Sequence, residues 1–178
     1  TRTPAVDIDV LDGELSDQMA EFVLDLLGPA PLRIGRAPKK LLVYRAEKPF
    51  AKVKSHTWIN DDGDRCAVEV LGHGQQFVAF GVHPGTGKPF TWPTGDSPLN
   101  NDANFDLNEI DLPAARAICD EFDAQAKARG WEKDSKASPT RGHVIGKKPE
   151  KLVADADFGE DADLVDDLRD TWDGTVEE

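Results

Sequence analysis

The sequence predicts an α+β domain, a mostly antiparallel sheet with flanking helices. Short segments rich in Val, Ile, Leu and Phe recur between turns made of Gly, Pro, Asp and Asn, and several lie close enough in the chain to pair as hairpins. Only two stretches, near residues 16–27 and 113–129, carry the apolar spacing of a helix. With 178 residues, 39% of them hydrophobic, the chain can bury one sizeable core.

Val6 to Val10 opens the chain as a strand. Ser16 is placed to cap a helix whose apolar residues Met19, Phe22, Val23, Leu26 and Leu27 fall at helical spacing, and Gly28-Pro29 ends it. Leu32-Arg33-Ile34 and Leu41 to Tyr44 read as two strands joined by Gly35-Arg36-Ala37-Pro38-Lys39, which makes a basic hairpin. Ala51 to Trp58 alternates as one strand, Asp61-Asp62-Gly63-Asp64 turns the chain, and Cys66 to Leu71 returns as another. The turn acids do not make a calcium loop, because no glutamate stands at its closing position.

Gln76 to Phe80 and Phe90 to Trp92 read as a second hairpin around the wide turn His83 to Pro89. A loop rich in Asn, Asp and Pro then leads to the second helix, Pro113 to Arg129, with Ala114, Ile118 and Phe122 on its buried face and Gly130 at its end. Trp92 and Trp131 are expected in the core. Residues 1–131 are therefore read as the folded core and 132–178 as a polar linker and acidic tail.

The charge is unevenly spread. Residues 149–178 hold 12 acids and 2 bases, a net of −10, leaving 22 acids and 19 bases, a net of −3, in residues 1–148. Arg33, Arg36, Lys39, Lys40, Arg45, Lys48, Lys52 and Lys54 crowd into one stretch in which Glu47 is the only acid, a surface of the kind that attracts phosphates. No apolar run reaches the roughly 18 residues of a membrane span and no signal-peptide pattern opens the chain, so the expectation is a cytoplasmic protein with no membrane partner. Cys66 and Cys119 stand alone, without the spacing of a zinc site, and are expected as buried thiols.

Asp7 and Asp9, in Val6-Asp7-Ile8-Asp9-Val10, carry the most chemistry per residue. A strand sends residues i and i+2 to one face, so both carboxylates converge while the alternating apolar residues bury the other side. Such a pair suits Mg²⁺ or Mn²⁺, hard ions that prefer oxygen ligands and bridge carboxylates to phosphates. A solvated strand edge would carry the same spacing. Glu69 is a further acid in the middle of the otherwise apolar Ala67 to Leu71. It either faces solvent on an antiparallel strand or completes a three-carboxylate cluster for two-metal phosphoryl or nucleotidyl transfer.

In ordered blocks, the chain resembles the archaeo-eukaryotic primase superfamily, specifically the primase-polymerase domains of phages, plasmids and other mobile elements. The blocks are Val6-Asp7-Ile8-Asp9, the basic hairpin Arg33 to Arg45, Val68-Glu69-Val70-Leu71-Gly72, Gly74-Gln75-Gln76-Phe77-Val78-Ala79, and Val82-His83-Pro84 through Lys88-Pro89-Phe90-Thr91-Trp92. The likeness covers roughly residues 5–131. It implies an RNA-recognition-motif-like catalytic core in which Asp7, Asp9 and Glu69 are catalytic and hold two divalent ions, Mg²⁺ or Mn²⁺. Arg36, Lys39, Lys40 and His83 would meet the phosphates of a nucleoside triphosphate; Arg33, Arg45 and Gln76 would contact nucleic acid or sugar. The implied activity is template-directed nucleotidyl transfer, DNA primase or polymerase, on a single-stranded DNA template and primer, with a helicase domain or protein as a further partner.

Two features depart from the family pattern. Its second motif commonly contains a histidine, where this hairpin has Lys39 and Lys40. It also carries an α/β portion ahead of the first motif, whereas the sequence given starts a few residues before Asp7, so a trimmed or shorter variant is expected.

Two other functions use the same residues: a non-catalytic single-strand-binding or replication-initiation module, and a two-metal nuclease. The nuclease ranks last, because the acid-x-lysine spacing common there is absent at Glu69, where Leu71 stands in the second place. His83 serves either a ligand or its own turn, and Trp58, beside His56, either packs or stacks on a template base. Gly85-x-Gly87-Lys88 is not a phosphate-binding P-loop, since the full spacing and the following Ser or Thr are missing.

Overall fold

A computed structural model describes residues 3–97 and 107–145. The sheet is built from β1 (Ala5–Asp9), β2 (Leu32–Arg33), β3 (Lys40–Val43), β4 (Val53–Lys54), β5 (Trp58–Ile59), β6 (Arg65–Leu71), β7 (Glu132–Lys133) and β8 (Thr140–Arg141), with helices α1 (Gly13–Leu27) and α2 (Leu112–Ala128). Among the described residues the strand order is β2-β3-β1-β6-β4-β8, with β5 pairing β6 and β7. Every ladder between these strands is antiparallel. The α+β class with a mostly antiparallel sheet is therefore the observed one.

Strand β1 lies at the centre, and its alternation divides the two faces. Val6, Ile8 and Val10 are fully buried against both helices, in a core shared with Leu15, Met19, Val23, Val68, Val70, Ile118 and Phe122. α1 packs on β1, β3 and α2, while α2 packs on β6, β4 and α1, so both helices cover one face. On the other face Ala5, Leu41, Val43 and Leu71 form a smaller apolar cluster, joined by Phe77, Trp92 and Leu107. Asp7 and Asp9 stand beside that cluster because of the two-residue period of the strand.

The helix boundaries differ from the sequence reading in one respect that matters. α1 is capped by Asp12, whose Oδ1 accepts from the Leu15 N–H at 2.7 Å, and Ser16 lies inside the helix, fully buried. The Ser16 hydroxyl instead donates to the Pro38 carbonyl at 2.6 Å, tying the basic hairpin to the helix. The buried face is accordingly Leu15, Ser16, Met19, Ala20 and Val23, and Leu26 is exposed. Asp outranks Ser here because it supplies the cap one turn earlier, before the first buried leucine. Gly28 ends α1 with φ 85°, a left-handed conformation that favours glycine, and its N–H donates to the Leu24 carbonyl at 2.8 Å.

α2 is capped by Asp111, which accepts from the Ala114 N–H at 2.8 Å, with Pro113 in the first turn. The stretch Ala51 to Trp58, expected as one strand, is two short ones, β4 and β5, both paired to β6. Between them the Ser55 hydroxyl accepts from the Val68 N–H, and Asp123 of α2 accepts from the His56 N–H, so side chains supply what a continuous ladder would have. Asp123 also binds His56 Nδ1 at 2.6 Å and Trp58 Nε1 at 2.8 Å, and Trp58 is buried, which answers the choice between stacking and packing in favour of packing.

Gln76 to Phe80 forms no strand. Residues 73–97 are an irregular arm held by the isolated bridges Val82–Pro89 and Ile34–Thr91. Cys66 and Cys119 are free and buried, and burial pushes the Cys119 thiol up to about 12. One compact unit spans Thr1–Gly146; β7 and β8, in the stretch read as linker, are paired strands of it. A second unit, Lys147–Glu178, lies outside the described residues, and with it the acidic tail. Among the described residues no helix is long and apolar enough to cross a membrane.

Candidate functional site

The antiparallel registers align one residue from each of five strands in a single row. Arg33 of β2 lies opposite Leu41 of β3, Leu41 opposite Asp7 of β1, Asp7 opposite Glu69 of β6, and Glu69 opposite Lys54 of β4. Directly opposed residues of neighbouring strands share a face, so the row runs arginine, leucine, aspartate, glutamate, lysine across the helix-free side. Asp9 joins it two residues beyond Asp7. A cleft of about 440 Å³ opens over this row, bounded by the basic hairpin on one side and the start of the irregular arm on the other.

Two of the three acids are already engaged. Glu69 accepts from Lys52 Nζ at 2.5 Å on Oε2 and from Lys54 Nζ at 2.8 Å on Oε1, so each oxygen has its own ammonium. Burial pushes Glu69 upward, but the hydrogen bonds and charges of the two lysines outweigh it and leave its carboxyl below the usual range. Asp9 pairs with Lys39 from the hairpin turn. The Asp7 carboxylate has no hydrogen bond or ion pair among the described residues. Burial, reinforced by the neighbouring Asp9 and Glu69 and opposed by Arg33 and Lys39, raises it from 3.8 to about 6.

Arg33 forms the floor at the other end of the row. Its guanidinium lies 4.6 Å from the Phe90 ring centroid and 5.8 Å from that of Phe77, and Nη1 donates to the Val78 carbonyl. Its Nε is buried without a partner. Burial lowers its pKa, with Asp7 acting in the opposite sense. The close approach of Phe90 depends on Gly35, where a Cβ would fall 2.3 Å from the ring.

The other residues read from the sequence divide. Arg36 lines the cleft and is exposed, and Gln76 lines it from the arm. His83 lines it too, but its Nδ1 accepts from the Gly85 N–H at 3.1 Å and its ring packs edge-on against Phe90, so one nitrogen serves the turn. Lys40 also borders the cleft, but its ammonium is spent elsewhere: from a position opposite Ile8 it reaches Asp17 at 2.5 Å, Ser16 Oγ at 3.2 Å and the Pro38 carbonyl at 3.3 Å. Arg45 pairs with Glu109 at 3.1 Å and donates to the Leu107 carbonyl, apart from the cleft-lining residues.

Lys52 and Lys54 were visible in the sequence only as members of a basic stretch. Their Lys-Val-Lys spacing, read across the Asp61 to Asp64 turn toward Glu69, is the signal that pairs them with the acid. Phe77 and Phe90, which shelve Arg33, have no comparable signature.

In donor chemistry, Asp7, Asp9 and Glu69 suit a hard divalent cation, since all their ligand atoms are carboxylate oxygens. In arrangement, lysines hold two of them, and among the described residues no group of three or more His, Cys, Asp or Glu side chains is placed to hold a metal ion. Such an ion would enter by displacing lysines. No family model, no curated protein and no solved structure matches the chain.

Proposed function

We propose that the cleft binds a nucleoside triphosphate and a divalent ion, Mg²⁺ or Mn²⁺, and catalyses template-directed nucleotidyl transfer on a single-stranded DNA template and primer, as a primase-polymerase. The row Arg33, Asp7 and Glu69, with Asp9, Lys39 and Lys52 beside it in the cleft, carries this reading. It sets acids suited to a hard cation against cations suited to phosphate, under a cleft within the roughly 300–1,000 Å³ usual for small-molecule sites.

Asp7, Asp9 and Glu69 would hold the ion, which when bound neutralises charge developing on the transferred phosphate and lowers the pKa of the attacking hydroxyl. Arg33 offers a partly desolvated, aromatic-shelved guanidinium with a free Nε, a geometry suited to a phosphate oxygen. Arg36, free to move at the rim, would meet the outer phosphates, and Lys39 sits on the same turn. Catalysis by these side chains is positioning and electrostatics, with no covalent step on the protein.

One observation favours a second reading. Asp9 and Glu69 are neutralised by lysines without any ion, as in a single-strand-binding module that works without metal. Extension of a labelled DNA primer on a single-stranded template, with Mn²⁺ and four dNTPs, separates the two. Extension by the parent and none by Asp7→Ala/Asp9→Ala is the expected result. If neither extends the primer while both bind template equally, the catalytic reading fails and the binding module takes its place.

A further inference from the structure

Lys39 and Lys52 hold two of the three carboxylates that a divalent ion would use. Each lines the cleft, each holds a cleft acid, and each is partly exposed, at 26% and 30% of its side chain. Lys54 differs: it lies in register with Glu69, so its contact is set by the β4–β6 ladder, and it is not among the cleft-lining residues. With Lys39 and Lys52 in place, Asp7 is the one cleft acid without an ion pair among the described residues. A single carboxylate is a poor set for ions that take about six oxygens.

We propose that Lys39 and Lys52 are resident counter-cations that keep a free divalent ion out of the cleft, and that the ion enters as its complex with a nucleoside triphosphate, whose phosphates take the two lysines over. The inference rests on the nucleotidyl-transfer reading of the same cleft, and the charges balance. A nucleoside triphosphate carries about four negative charges near neutral pH. The ion's two positive charges replace those of the two ammoniums at Asp9 and Glu69, and the two ammoniums, with Arg33 and Arg36 of the same cleft, meet the four charges of the triphosphate. No atom of the sheet has to move, since a lysine is a compact charge on a flexible stem and both lie at the cleft surface.

The test is binding of free Mn²⁺ to the full chain, followed by the electron paramagnetic resonance signal of the unbound ion. It compares the parent, Lys39→Met/Lys52→Met, each single Met variant, and Arg36→Met. Arg36 lines the same cleft without an ion pair among the described residues, so its loss removes one charge and no carboxylate contact. The expected result is Mn²⁺ binding about tenfold or more tighter in the double variant, part of that in each single variant, and a change within about threefold for Arg36→Met.

A parent that already binds free Mn²⁺ as tightly as the double variant overturns the proposal. So does equal tightening by Arg36→Met, or no Mn²⁺ binding by the double variant. Primer extension is scored separately: extension by the parent beside an overturning titration removes the lysine exchange and leaves nucleotidyl transfer standing. The expected titration without extension removes the polymerase reading and leaves lysines guarding a cation site.

Discussion

Neighbouring residues from Val6 to Val10 meet opposite fates. Val6, Ile8 and Val10 have no exposed surface and every contact they need comes from the chain, whereas Asp7, between them, has no ion pair among the described residues and a pKa raised to about 6. The helix side of the sheet is satisfied from within. The cleft side is satisfied only in part, with the buried Arg33 Nε left open as well. A fold that tolerates an ionised, half-buried acid and an open guanidinium Nε in one row is less stable than it could be, and a ligand of complementary charge would relieve both.

Breaking the satisfied face has the largest effect. Ile8→Ala, at a fully buried position beside Val68, should lower stability by about 2–5 kcal/mol, read as a shift in the urea unfolding midpoint. The opposite sign is expected one residue away. Asp7 has a folded pKa above its ordinary 3.8, so its favourable contribution is complete below pH about 4 and is lost as pH rises through about 6. Asp7→Asn removes that loss and should stabilise the protein at pH 7 by about 1–3 kcal/mol while flattening the stability profile between pH 4 and 6. A variant no more stable than the parent at pH 7 would show that the cleft face carries no such deficit.

How far the sequence could be read follows the same division. Alternation in Val6 to Val10 is a local signal, and it placed both the buried side and the convergent aspartates, because the strand period is a property of neighbouring residues. Glu69 was legible as an acid out of place, and the strand that holds it came out as read. What pairs with it was not, since Lys52 and Lys54 reach it through a register fixed by the break at Ser55 to Thr57 and by Asp123, far along the chain. Lys39 and Lys40 read alike in a basic turn, yet the Lys40 ammonium goes to Asp17 of α1 and the turn sends Lys39 to Asp9. The arm at residues 73–97 misled because its β-type residues close isolated bridges and pack on Arg33 rather than pairing in a ladder.

The contrast sharpens at Glu69, the acid opposite Asp7. Its carboxyl lies below the usual range, so its contribution is present above the ordinary pKa and is lost as pH falls. Glu69→Gln should therefore destabilise by about 1–2 kcal/mol at pH 7, a moderate figure because the side chain is still 18% exposed and two ammoniums can turn to water. Two carboxylates face to face across one ladder would then respond to neutralisation with opposite signs, and unfolding curves of the two variants at pH 7 are enough to see it. The same sign in both would mean that the lysines contribute nothing.

The smallest effect tests which side of the sheet a lysine serves. Lys40 carries its charge to Asp17, beside Ser16, and so belongs with α1, while Arg36, four residues earlier, stands in the cleft. Asp17 is largely exposed, which limits that ion pair to the range of surface salt bridges. Lys40→Met should lower stability by about 0.5–1 kcal/mol and leave the affinity for a non-hydrolysable nucleoside triphosphate with Mg²⁺ within about twofold. Arg36→Met should do the reverse, weakening triphosphate binding about tenfold with no change in the unfolding midpoint, since its guanidinium holds nothing in the fold. If Lys40→Met weakened the triphosphate as much as Arg36→Met, the ammonium would have left Asp17 for the triphosphate, and the division of the hairpin between a structural lysine and a ligand-facing arginine would fall.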